Sequence, residues 1–307
     1  MGPENGINLN EVEYFPIEEY IKRIHLKDAL LEHMEETNQD FTEYFNKLKS
    51  YSDYAVMTWF IAMFNKEMRF SHKIENTHFI HPERIKNEEV FFDTLQMSHK
   101  RIKDLHQFVT NGTESYNYRN TDVKISCKLQ NGQEQIYWKG VKPEDIKKFM
   151  DDYITIYKKK SLSVLNTNPF IRSALMHLLF VRIHPFSDGN GRTARLIHNM
   201  CFTESINNYF GMKLKICPLN LSQSILINQY TYVNRINNIY FDLEHDCNDE
   251  INKWFDYMLN MVDEQLYHWN LNLPNLEKNF ETIEELKDTD TSSLPELAAK
   301  QLKKQKK

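Results

Sequence analysis

Apolar residues recur at three- and four-residue spacing over Ile17–Leu31, Ala55–Phe70, Val90–Phe108, Ile146–Tyr157, Ile171–Ile183, Leu196–Phe210 and Ile251–Leu266. That is the period of helices with one buried face. Ile171–Ile183 is apolar nearly all round, which predicts a central helix. One region breaks the pattern. Val123–Leu129 alternates, Gln130–Gln133 brings Asn131-Gly132, and Glu134–Trp138 follows, which predicts a β-hairpin. A lone hairpin is marginal in water, so this one must lean on the helices or on a partner. The fold class expected is therefore mainly α, with one hairpin.

The 307 residues allow one large domain or two small ones, and 41% hydrophobic residues suffice for a sizeable core. The net charge of -5 gives no sign of nucleic acid as a partner. Cys127, Cys201, Cys217 and Cys247 lack CxxC spacing, which fits reduced thiols in a cytoplasmic protein. The longest apolar stretch, Tyr54 to Phe64, is too short to span a bilayer, and no secretory leader is expected. From Leu271 onward the chain turns polar and ends in a basic run, read as solvated.

Chemistry concentrates in His184-Pro185-Phe186-Ser187-Asp188-Gly189-Asn190-Gly191-Arg192-Thr193-Ala194-Arg195. Pro185 stops the central helix, because the residue before a proline is pushed out of the helical region. His184 then sits at the lip of that helix. Gly189 and Gly191 allow a tight turn and a close backbone approach. A new helix is expected to begin near Asn190, a good N-cap, and its free N–H groups make an anion site. Arg192 and Arg195, three apart, share a face and can each grip phosphate oxygens. Asp188 is the candidate Mg²⁺ ligand, since magnesium takes one or two carboxylates and completes its shell with phosphate and water. His184 has the intrinsic basicity to accept a proton near neutral pH. Singly, each residue has an ordinary explanation as a cap, a turn former or a surface cation. Their meeting within twelve positions carries the reading, and no Gly-Lys-Ser/Thr makes this a Walker A loop.

The stretch resembles the HPFx(D/E)GNGRxxR signature of Fic (Fido-domain) proteins at every fixed position. The resemblance runs over about Leu105 to Val262. It implies a helical core with a hairpin flap, Arg119, Val123 and Ile125 entering it and Val141-Lys142-Pro143 leaving it. It implies transfer of AMP from ATP to a Ser, Thr or Tyr hydroxyl of a target protein. On this reading His184 is the general base and Asp188 the Mg²⁺ ligand. Gly189, Asn190 and Gly191 form the anion hole, with the Asn190 side chain on phosphate. Arg192 and Arg195 bind the β- and γ-phosphates, and Phe186 packs inward. Asn234 and Tyr240, placed with Arg235 on a helix beyond the motif, are the candidates for the adenine pocket. The target would be held along the flap, 123–138, through backbone hydrogen bonds.

Upstream, Ser71-His72-Lys73-Ile74-Glu75-Asn76 resembles the family's inhibitory (S/T)xxxE(G/N) motif. Ser71 and Glu75 share a helical face, and Asn76 tolerates a left-handed helix stop. The resemblance implies that Glu75 pairs with Arg195 where the γ-phosphate belongs. The division expected is residues 1–90 as a helical cap carrying this lock, 91–265 as the catalytic core and 266–307 as a polar tail. Alternatives are hydrolytic removal of AMP by the same residues, and a nucleotide-sensing module that never transfers. A metal site from His72, His78 and His81 is disfavoured, because they do not share a helical face. Association into a homodimer is allowed for, because a face of the Trp59 and Phe60 type is rarely left bare by a single chain.

Overall fold

In the computed structural model of the chain, the residues described are 12–51, 53–78, 97–128, 134–159, 165, 168–211, 214 and 217–286. The expected helical start at Val90, the hairpin turn and the basic end lie outside them. So does His81.

The helix Pro169–Ile183 (α6 in the numbering used below) is the axis of the fold, with every residue buried. Its start is fixed by Asn168, whose Oδ1 accepts from the N–H groups of Phe170 and Ile171 at 2.9 and 3.1 Å, and by Pro169 in the first turn. Around it, in chain order, stand α1 (Ile17–Lys22), α2 (Asp28–Leu48), α3 (Asp53–Ile74), α4 (His99–Val109), the strands β1 (Lys124–Lys128) and β2 (Glu134–Lys139), and α5 (Ile146–Lys158). After α6 come α7 (Asn190–Phe210), α8 (Leu221–Ile227), α9 (Gln229–Asn237) and α10 (Asn248–Leu286). The mainly α expectation holds. α7 lies most extensively against α6, α10 packs on α2 and α6, and α3 rests chiefly on α8. Phe41, Phe170 and Phe202 meet in the core with ring centroids 5.4–5.7 Å apart, joining α2, α6 and α7.

Two elements differ from their sequence pattern. The single helix expected over Ile17–Leu31 is two, broken between α1 and α2. Nothing local breaks it. Asn248 and Asn252, at the start of α10, take the broken segment's backbone: Asn248 Oδ1 accepts from His25 N, Asn252 Oδ1 accepts from Lys27 N, and Asn252 Nδ2 donates to His25 O, all at 2.8–2.9 Å. These bonds replace the helical ones. α10 runs to Leu286, past the boundary placed at 266.

The hairpin is present. β1 and β2 pair antiparallel, with Lys124 opposite Lys139 and Lys128 opposite Glu134, and a bulge follows Ile125. Its base is tied to the body by Arg119. That guanidinium donates to the carbonyls of His184 (2.8 Å), Thr121 (2.8 Å) and Val141 (2.6 Å), while Arg119 N donates to Pro185 O at 2.9 Å. Val12 bridges in parallel to Val141 beside it. Cys201, Cys217 and Cys247 are free and buried. No described helix is long and apolar enough to cross a membrane.

Candidate active site

The site lies in the bend between α6 and α7. His184 closes α6 in the left-handed region, φ 52° and ψ 61°. This turns its ring out of the helix. Its Nδ1 stands 3.2 Å from Val181 O, so Nδ1–H donates and Nε2 carries the free lone pair. Trp138 of β2 meets the imidazole edge-on, 5.5 Å between centroids. Trp138 is itself held by its Nε1–H on Asn237 Oδ1 (3.1 Å) and by Arg182 stacked over its ring at 4.4 Å. Burial lowers the His184 pKa to about 4; the Val181 bond opposes this, and the Arg119 and Arg182 charges add to it. The imidazole is therefore neutral at physiological pH.

Phe186 is 1% exposed and stacks flat on His106 at 3.7 Å. His106 Nε2–H in turn donates to Asp188 O at 2.9 Å, pinning the loop from α4. Gly189, at φ 78°, has no room for a side chain: a Cβ there would stand 2.5 Å from Thr110 Cγ2. Its carbonyl accepts from Thr193 N, which opens α7. The helix thus begins one residue earlier in role than the sequence implied, with Gly189 as the cap and Asn190 already helical. Asn190, whose side chain was expected on phosphate, also holds the loop. Its Oδ1 accepts from Phe186 N (2.9 Å) and its Nδ2 donates to Phe186 O (2.7 Å). The buried amide clasps the loop like a short strand pair. The first N–H groups of α7 and its positive dipole end add a backbone anion site beside it.

Arg192 donates to Asp188 Oδ2 at 3.0 Å and to Val109 O at 3.4 Å. Asp188 keeps 64% of its side chain exposed, facing outward from the loop mouth. Arg195 is 3% exposed and turned toward α3. Its Nε donates to Ser71 Oγ (2.8 Å), and one Nη donates both to Ser71 O and to Glu75 Oε1, each at 2.9 Å. Burial lowers the pKa of His72 to about 4, and the Arg192 and Arg195 charges add to it.

Glu75 follows the last turn of α3, and Asn76 adopts φ 52°, the left-handed stop read from the sequence. Glu75 Oε1 lies 2.6 Å from where a Cβ on Gly191 would stand. Only glycine leaves that seat open. The carboxylate therefore stands beside the first turn of α7.

Residues the sequence reading passed over complete the site. Glu67, two turns before Glu75 on α3, is 2% exposed and accepts from Ser222 N (2.8 Å) and Ser222 Oγ (2.5 Å). Its spacing of four from Ser71 was the available signal. Burial pushes its carboxyl up, against the Ser222 bonds, Asn199 and the Arg195 charge. Gln229 Nε2 also donates to Ile74 O at 3.2 Å, clasping the end of α3 from α9. His106 gave no sequence signal at all.

The adenine candidates are less concentrated. Asn234 is half-buried on α9, but Tyr240 lies beyond that helix, which ends at Asn237. Tyr240 stacks on His245 at 4.2 Å, and its carbonyl accepts from Tyr20 OH. The helix placing both was expected too long.

One bend of a helical body, beside a hairpin, thus brings together an imidazole, two glycines and two arginines. Residues 96–202 match the Fic/DOC family. The chain is 33% identical over 114 residues to the protein adenylyltransferase Fic of Nematostella vectensis, covering 37% of this chain and 23% of that protein. It is 38% identical over 65 residues to the protein adenylyltransferase fic-1 of Caenorhabditis elegans, covering 21% of this chain and 12% of that one. A Fic family protein from Desulfovibrio desulfuricans G20 shares the fold with a TM-score of 0.52 at 17% identity, over 83% of this chain and 76% of its own. The match thus spans under a quarter of the length of these curated relatives.

Proposed function

We propose that the chain is an autoinhibited protein adenylyltransferase, moving AMP from ATP to a hydroxyl of a target protein. The observation that carries this is the shared seat: Glu75 pairs with Arg195 and covers Gly191, where a terminal phosphate would otherwise meet the same arginine and the same N–H groups. A carboxylate and a phosphate compete for one bidentate cation, so the triphosphate binds productively only when Glu75 withdraws.

With Glu75 out, the chemistry follows from the residues left. The target hydroxyl lies along the flap, with its proton toward His184 Nε2. That nitrogen is free because Nδ1 is engaged by Val181. As the proton moves to Nε2, the hydroxyl oxygen attacks the α-phosphorus. The bond from that phosphorus to the α,β-bridging oxygen breaks, and its electron pair leaves with pyrophosphate. Charge building on the phosphates is met by the N-terminus of α7, Arg192 and Arg195. The exposed Asp188 carboxylate fits magnesium, a hard cation that takes few protein oxygens and completes its shell with phosphate and water. Bound there, the metal would neutralise phosphate charge, and Arg192 would exchange its partner Asp188 for phosphate.

The test is transfer from ATP labelled at the α-phosphate, with CTP, GTP and UTP alongside. Glu75→Gly is expected to label protein well above the wild type. Equal labelling by both contradicts the lock, and label arriving only from the γ-phosphate contradicts adenylyl transfer. An AMP-modified protein as substrate separates the reverse, hydrolytic reaction.

A further inference from the structure

The base of the flap carries a tryptophan that faces the imidazole. Trp138 is 4% exposed, although it stands on a two-stranded hairpin. It pairs with Ile125, at the point where the bulge falls. A bulge re-aims a side chain relative to the alternation of its strand. Three contacts then meet the indole. Its Nε1–H donates to Asn237 Oδ1 at 3.1 Å, at the end of α9. Arg182, on α6, lies over the ring at 4.4 Å. The His184 imidazole meets it at 5.5 Å between centroids, with 80° between planes. The two anchors come from different helices, and neither is His184. The indole is therefore a wall held independently of the ring that it touches.

His184 has less to hold it. Among the described residues its ring makes one hydrogen bond, from Nδ1 to Val181 O at 3.2 Å, and the residue is half-buried. One long bond at a helix end does not fix an imidazole, so its aim depends on packing. The charged groups acting on the ring are Arg119 ahead of the flap, Arg182 on α6 and Asp188 in the loop. The two cations disfavour an imidazolium, and Asp188 favours one. An indole can also stabilise a nearby cation, which would pull the other way. Here Arg182 already draws on that ring, so exclusion of water is the larger effect. Resting on the base role proposed above for His184, we infer that Trp138 is its positioning residue: the indole, anchored by Asn237 and Arg182, keeps the imidazole aimed and keeps water from it.

The wall can be read without any transfer, from the His184 ring signal in NMR, assigned by its absence in His184→Ala. With Trp138 present, the ring is expected to stay neutral from about pH 8 down to about 5, since burial holds its pKa at about 4. In Trp138→Ala the midpoint is expected to rise toward about 6.5. Trp138→Phe keeps an aromatic wall without the Asn237 bond, and its midpoint is expected between the two. A packing role alone would lower the melting temperature and leave the midpoint in place. That result overturns the inference, as does a midpoint that falls. Should Trp138→Ala not fold, Asn237→Ala keeps the indole and removes one anchor. It is expected to raise the midpoint by less, and no rise there overturns the inference. Transfer by the Glu75→Gly chain gives the second readout. Adding Trp138→Ala is expected to lower kcat roughly tenfold to a hundredfold, with KM for ATP little changed. A rise in KM with kcat unchanged contradicts a role at the base. If Glu75→Gly transfers no AMP while the midpoints move as expected, the reading of His184 as a base fails and the wall stands.

Discussion

At the residue scale, the loop was legible because its parts are contiguous. Pro185 forces the exit from α6, the glycines permit the bend, and the arginines follow at helical spacing. What the sequence could not show is which atoms are already spent. The Asn190 side chain, read as a phosphate contact, also bonds both the N–H and the carbonyl of Phe186. His184 looks like an ordinary imidazole until its desolvation is counted, and that has a kinetic consequence. With its pKa held at about 4, the ring is in its basic form throughout the neutral range. In Glu75→Gly, kcat/KM should rise with pH through about 4 and stay level across 6.5, because the profile reports the free enzyme's base. An acid limb centred at 6.5 would show that the imidazole is solvated in the unlocked state.

At the element scale, periodicity found the helices but not the partners that cut or seat them. The break between α1 and α2 is imposed by Asn248 and Asn252, over 220 positions away, which no local pattern encodes. The seat of α3 is similar. The Ser71–Asn76 stretch was readable, whereas the anchor of its helix, Glu67 on Ser222, joins residues 155 apart. That anchor makes α8 the base on which the proposed lock stands. Glu67→Ala leaves the buried Ser222 N–H and hydroxyl without their acceptor, a loss of about 1–3 kcal/mol. Two results are expected together: a melting temperature lower by several degrees, and a rise in background AMP transfer with Glu75 still in place. A drop in stability with background transfer unchanged would mean that α3 keeps its position without this bond.

At the scale of the whole molecule, the fold buries many imidazoles, and their sum sets its acid tolerance. Burial is the first cause of the lowered pKa at His72, His106, His177, His184 and His198, and at His72, His184 and His198 it reaches about 4. The native state holds each neutral while the unfolded chain protonates near 6.5. Their stabilising contribution is thus complete above about pH 6.5 and is lost as pH falls through about 4. His33 runs the other way. Clamped by Asp263 at 2.6 Å and Asp256 at 2.9 Å, it has a raised pKa and favours the fold at lower pH. Glu67, its carboxyl pushed up by burial, acts with His33, but the five imidazoles outnumber these two, so the melting temperature should fall from pH 6.5 to 4 in a scanning calorimeter. A flat or rising profile would mean that water reaches these rings in the native state.

The central claim is that one seat is contested by Glu75 and a terminal phosphate, with His184 as the base beside it. Transfer of α-labelled AMP by three chains in parallel tests it most directly: the wild type, Glu75→Gly, and Glu75→Gly with His184→Ala. The account predicts little label on the first, strong label on the second, and none on the third while the third still binds ATP. Label that is indifferent to Glu75, or that survives the loss of His184, would contradict it.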